Sequence, residues 1–90
     1  MSSVVVIDFM AEWCGPCKMQ EPVIEEMKKL FEGKVEFKKI DVDENGELAD
    51  KYKVMAVPTL VIEKDGNIFE KYVGLTRSKV LEKKINEALK

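Results

Sequence analysis

Apolar and polar positions along the chain alternate between two spacings, and their order predicts β-α-β-α-β-β-α. The run Val4-Val5-Val6-Ile7-Asp8-Phe9 is strongly β-forming and predicts a first strand over roughly Ser3 to Phe9. Helical spacing then holds from about Cys14 to Phe31, with Pro22 inside it. That proline removes one backbone donor and predicts a kink, and Gly33 ends the helix. A second strand, Val35 to Val42, runs into the acidic loop Asp43-Glu44-Asn45-Gly46, and a short helix covers about Glu47 to Tyr52. The third strand spans Thr59 to Glu63, Asp65-Gly66 is a hairpin turn signal, and the fourth spans about Asn67 to Val73 before Gly74 breaks it. Thr76 or Ser78 is the expected cap of a last helix, about Lys79 to Leu89. No internal repeat, linker or low-complexity segment interrupts the pattern.

The first strand-helix-strand unit implies a parallel, right-handed crossover, whereas the last two strands form an antiparallel hairpin. The expected fold is therefore α/β, with a four-stranded mixed sheet and three helices. Ninety residues fit one domain, 1–90, and bury about two-thirds of the surface of the unfolded chain. Fifteen basic against seventeen acidic side chains leave a net charge of -2, mixed along the sequence, so a nucleic-acid partner is not expected. No apolar stretch is long enough for a membrane span or reads as a secretory leader, which places the expected location in the cytoplasm.

The chemistry sits between the first strand and the first helix. Trp13-Cys14-Gly15-Pro16-Cys17 holds the only two cysteines, three positions apart, and the chain has no histidine. Two thiols on the first turn of a helix can close a small disulfide and open it again. The thiolate is the attacking species, so Cys14 must ionise near neutral pH. Unpaired N–H groups and the positive end of a helix dipole favour that anion, the dipole by up to ~2 kcal/mol when partly buried. Lys18 adds a nearby positive charge. Cys14 is expected at the exposed edge as nucleophile, with Cys17 one turn deeper as the resolving thiol. Gly15 and Pro16 keep the turn compact, and Pro16 suits a first helical turn.

Three plainer readings compete. A structural staple across so short a loop would contribute only roughly 2 kcal/mol. A zinc site wants four ligands, which this chain would supply only by sharing across a dimer. Two inert buried cysteines are the third. The redox reading requires no cofactor and no metal.

Two charges end otherwise apolar rows: Asp8 follows Val4 and Val6 on one face, and Lys39 follows Val35 and Phe37. A buried carboxylate tends to take up a proton, so Asp8 is a candidate acceptor for the Cys17 proton, with Lys39 pairing to it and tuning it. The plain alternative is that both reach solvent at the strand ends. Trp13, Met55, Val57, Pro58 and Leu75 are candidates for an apolar rim that docks unfolded or partly folded chains.

The segment Asp8 to Met19 closely resembles the active-site segment of thioredoxins. Pro22 matches the helix-kinking proline of that family, Lys39-Ile40-Asp41-Val42-Asp43 the strand with its buried lysine, and Val57-Pro58-Thr59-Leu60 its cis-proline loop. Asp65-Gly66 matches its hairpin, and Val73-Gly74 the glycine lining its substrate groove. The resemblance implies a dithiol–disulfide oxidoreductase with Cys14 as nucleophile, Cys17 as resolving thiol and Asp8 as proton acceptor. It also implies a cis Val57-Pro58 bond facing the substrate, a moderately lowered thiol pKa and a reducing potential. Implied partners are disulfide-containing proteins and a thioredoxin reductase, NADPH- or ferredoxin-linked.

One departure concerns the start: thioredoxins usually carry an extra strand and helix before the Asp-bearing strand. The second strand is then expected at the sheet edge, with Glu36 and Lys38 protecting it by charge. The reduced size approaches that of glutaredoxins, which supply the alternative of an enzyme using glutathione or another small thiol. Their Pro-Tyr pair and late Gly-Gly-Asp are missing here. A third possibility is a binding module without turnover. A monomer is the expected state, although the exposed edge offers a route to weak dimers.

Overall fold

The computed structural model describes residues 3–90. Seven elements follow in the expected order: β1 (Val4–Met10), α1 (Gly15–Leu30), β2 (Glu36–Asp41), α2 (Gly46–Lys51), β3 (Thr59–Lys64), β4 (Asn67–Val73) and α3 (Ser78–Ala88). They build a four-stranded mixed sheet in the order β2-β1-β3-β4. β1 runs parallel to β2 and antiparallel to β3, which pairs antiparallel with β4.

β1 is flanked on both sides, and that explains its composition. Its alternate residues serve opposite faces. Val4 and Val6, with Leu60 and Ile62 of β3, meet Ile24 and Met27 of α1 and Leu81, Ile85 and Ala88 of α3. Ile7 and Phe9, with Val61, meet the residues around α2, including Tyr52 and Val54. Helices α1 and α3 thus cover one face, and α2 the other. Pro22 lies inside α1, which runs on through it to Leu30. Gly33 follows with φ of 79°, a conformation in which a glycine carries no Cβ penalty, and the chain turns back toward β2.

β2 lies at the edge of the described sheet, as expected. Glu36 and Lys38 are both exposed, with a 3.8 Å contact between their charged groups. The hairpin turn places Asp65 and Gly66 at φ of 52° and 84°, both left-handed, the geometry that matches the twist of the flanking strands.

The start of α3 differs from expectation. Arg77 occupies the N-cap position, with extended backbone and no side-chain cap, and the helix begins at Ser78. Thr76 is unavailable as a cap because its groups bond elsewhere: Oγ1 donates to the Gly74 carbonyl and the backbone is held by Gln20. Among the described residues, no helix is long and apolar enough to cross a membrane.

Candidate active site

The cysteines stand where β1 ends and α1 begins. Cys14 is the N-cap of α1, and its Sγ accepts a hydrogen bond from the Cys17 backbone N–H at 3.1 Å. The two sulfurs are joined as a disulfide, with Cα atoms 5.3 Å apart, inside the usual range for such a link. Gly15 and Pro16 form the first two helical positions, so the proline ring costs no hydrogen bond there. No acidic residue occupies the first turn of α1. The positive end of the helix therefore faces the sulfurs with no carboxylate in that turn to offset it.

Burial does not separate the two sulfurs as expected. Cys14 is 3% exposed and Cys17 2%. In the disulfide form Cys14 is packed with Ala11 and Cys17, with Met10, Val42 and Val57 around them, and so is not an exposed edge. What distinguishes Cys14 is its capping position and the Val57 carbonyl oxygen, 3.7 Å from its Sγ.

That carbonyl belongs to a cis Val57-Pro58 peptide. The loop is pinned on three sides. Thr59 Oγ1 donates to the Ala56 carbonyl at 2.6 Å, and the Gly74 N–H donates to the Pro58 carbonyl at 2.8 Å. Lys71 Nζ from β4 donates to the carbonyls of Tyr52 and Lys53, just after α2, at 3.0 and 2.8 Å. Of the expected apolar rim, Trp13, Met55 and Leu75 are exposed and Val57 is half-buried, but Pro58 is fully buried. The proline packs as core, because its ring points into the fold while its neighbour's backbone faces the sulfurs. Val73, 67% exposed, is outside the set expected for that rim and lies next to Gly74.

Asp8 is 3% exposed, and its Oδ1 has no hydrogen-bond partner. Its pKa is raised from 3.8 to about 6, chiefly by burial; Lys39 opposes the rise, Glu21 adds to it, and Lys28 opposes it. The expected Asp8–Lys39 pair does not form. Lys39 Nζ instead bonds Glu21 Oε1 at 2.8 Å. An exposed carboxylate lets the ammonium keep its hydration, whereas pairing with Asp8 would bury the charge. Asp8 faces a cleft of about 280 Å³, and Cys17 lines one of about 210 Å³; Glu21 and Lys39 line both.

Three contributors were missed from sequence. Asp43 accepts the Trp13 indole N–H at 2.9 Å, fixing an otherwise exposed ring. Glu21 holds Lys39. Gln20, fully buried, bonds both backbone groups of Thr76. Only Gln20 carried a signal: it is the one polar residue in the buried series Cys17, Gln20, Ile24, Met27.

A disulfide at a helix N-terminus, at the carboxyl end of a parallel strand and against a cis-proline loop, defines a thiol–disulfide oxidoreductase. The family model described as Thioredoxin matches residues 1–87. The chain is 49% identical over 86 residues to thioredoxin of Bacillus subtilis (strain 168), covering 96% of this chain and 83% of that one. It is 53% identical over 73 residues to thioredoxin of Staphylococcus aureus (strain MW2), covering 81% of this chain and 70% of that one. A solved mutant thioredoxin from Halobacterium salinarum NRC-1 superposes with a TM-score of 0.90 at 44% identity, over 98% of this chain and 76% of that one. The chain belongs to the thioredoxin family. These likenesses favour thioredoxin over the glutaredoxin alternative.

Proposed function

We infer that this oxidoreductase reduces disulfides of protein substrates through Cys14 and Cys17, with Asp8 as the proton acceptor. The observation that carries the reading is Cys14 Sγ sitting as the helix N-cap acceptor, with the Cys17 N–H already directed at it. In the dithiol form, the Cys14 thiolate attacks one sulfur of the substrate. A mixed disulfide forms and the other substrate sulfur leaves as a thiolate. Asp8 then takes the Cys17 proton, through water in the adjoining clefts. The Cys17 thiolate attacks Cys14 Sγ, closes the Cys14–Cys17 disulfide and releases the second substrate sulfur, which is protonated. Two electrons pass from the protein dithiol to the substrate. Lys39 acts on Asp8 through its field. Trp13, Gly15, Pro16, Val57 and Gly74 form the surface against which the substrate lies, with Pro58 holding the Val57 backbone toward it.

A thioredoxin reductase drawing on NADPH or ferredoxin restores the dithiol. The protein works as a monomeric single domain in the cytoplasm. The test is coupled turnover: NADPH oxidation with a thioredoxin reductase and insulin is expected, with no comparable rate when glutathione is the donor. Insulin reduction that survives Cys14→Ser would falsify the assignment.

A further inference from the structure

Three residues beyond Cys17, on the face of α1 that also sends Ile24 and Met27 into the core, stands a glutamine with no exposed surface. Its amide is spent on one residue. Nε2 donates to the Thr76 carbonyl at 2.9 Å, and Oε1 accepts the Thr76 N–H at 2.8 Å. An amide that engages both backbone groups of one residue acts like a neighbouring strand and fixes that residue along and across the chain.

The fixed residue leads back to the sulfurs. Thr76 Oγ1 donates to the Gly74 carbonyl at 3.0 Å, and the Gly74 N–H donates to Pro58 O at 2.8 Å. The next residue back is Val57, whose carbonyl lies 3.7 Å from Cys14 Sγ. The contacts close a circuit from Cys17 along α1 to Gln20, across to Thr76 and Gly74, over to Pro58, and back to Cys14. Gly74 is flanked in this circuit by Val73 and Leu75, whose apolar side chains are exposed. An apolar residue at position 20 would fill the same core, and burying an amide is favourable only when its bonds are met. The amide therefore contributes placement of the 74–76 segment.

We propose that Gln20 is a positioning residue for polypeptide substrates, holding the Gly74–Leu75 segment in register with the Cys14–Cys17 pair so that an extended chain crosses Val57 and Leu75 as its disulfide meets Cys14. The proposal rests on the protein-disulfide reading above and adds what sets its selectivity. A small aromatic disulfide that meets only the sulfurs does not use the segment.

Gln20→Met keeps length and bulk and removes both bonds. The pre-reduced protein is mixed with excess insulin, or with dithiobis(nitrobenzoic acid), and followed through a single turnover. The expected result is a rise of about fivefold in the half-saturating insulin concentration, the equivalent of one lost hydrogen bond. The limiting rate and the rate with the small disulfide stay within about twofold. Equal slowing with both probes, or no change with either, overturns the proposal. Wild-type protein that reduces neither probe sinks the oxidoreductase reading and this proposal with it. If the variant does not fold, hydrogen exchange on the wild type decides. A Thr76 amide protected as strongly as the sheet supports the clamp; exchange at the rate of an open loop overturns it.

Discussion

Asp8 and Lys39 are Cα partners across β1 and β2, yet the Lys39 amine bonds Glu21, and the Asp8 carboxyl is left with an unpartnered oxygen. The lysine lowers the cost of ionising Asp8 through its field without supplying a bond. Burial outweighs it, and the carboxyl titrates at about 6. An acid with that pKa can exchange its proton near neutrality, which suits a group that relieves a thiol of its proton.

The same displacement predicts how stability depends on pH. Asp8 has a folded pKa of about 6 against 3.8 for an ordinary Asp. Between those values the folded protein keeps a proton that the unfolded chain has lost, so stability falls as pH rises through that interval. Above it the cost is complete and amounts to at most about 3 kcal/mol. Urea unfolding of the oxidised protein should therefore find Asp8→Asn more stable than wild type at about pH 8, with the advantage gone below about pH 4. Equal stability of the two proteins at the higher pH would show that the carboxyl is solvated.

Glu21 is expected to act on Asp8 without touching it. Glu21→Gln removes a negative charge that raises the Asp8 pKa and weakens the hold on Lys39, both of which favour ionised Asp8. The Asp8 carboxyl, followed by carbon NMR, should titrate at lower pH than in wild type. An unchanged or higher midpoint would mean that the 2.8 Å Glu21–Lys39 contact does not govern the field at Asp8.

The division of labour proposed for the two sulfurs predicts asymmetry. Cys17→Ser should still attack, and should accumulate a mixed disulfide with insulin visible on non-reducing gels. Cys14→Ser should form none. Combining Cys17→Ser with Asp8→Asn should leave the first attack nearly unchanged. In a protein with both cysteines, Asp8→Asn should slow resolution by about a hundredfold at neutral pH, the lower end of what a positioned base contributes. Equal trapping by the two serine variants would remove the distinction drawn here.

Trp13 is the only tryptophan, so its tether to Asp43 has an optical signature. Asp43→Ala should free the indole, shift its emission and increase its quenching by iodide. The insulin concentration at half-saturation should rise with it, because an unfixed ring must be ordered when a substrate docks. Identical quenching in both proteins would mean that the 2.9 Å bond does not hold the ring in solution.

Much of this arrangement is legible in the chain because local signals and global fold agree. The Val4–Phe9 run, the Asp65-Gly66 turn and the Gly33 stop each name an element, and each element lies within about two residues of where its pattern puts it. The Cys14-Gly15-Pro16-Cys17 spacing names the chemistry, and the Asp8 position names a buried charge. The rest depends on contacts between elements. Which carboxylate Lys39 chooses follows from α1 lying over β2, and periodicity does not specify that. The α3 cap failed for a similar reason: the Thr76 backbone is bound by a residue more than fifty positions earlier. Cys14 was expected at an exposed edge, but the disulfide and Val57 cover it, a matter of packing that spacing leaves open.

Cys14 caps α1 with the same sulfur that the proposed mechanism uses as nucleophile. Opening the disulfide turns that sulfur into a better acceptor for the amide already aimed at it, since an ionised acceptor bonds more strongly than a neutral one. Each half of the catalytic cycle thus inherits a finished helix terminus from the other. The terminus of α1 needs no second side chain to cap it, because the amide that meets the bonded sulfur is already in place for the ionised one.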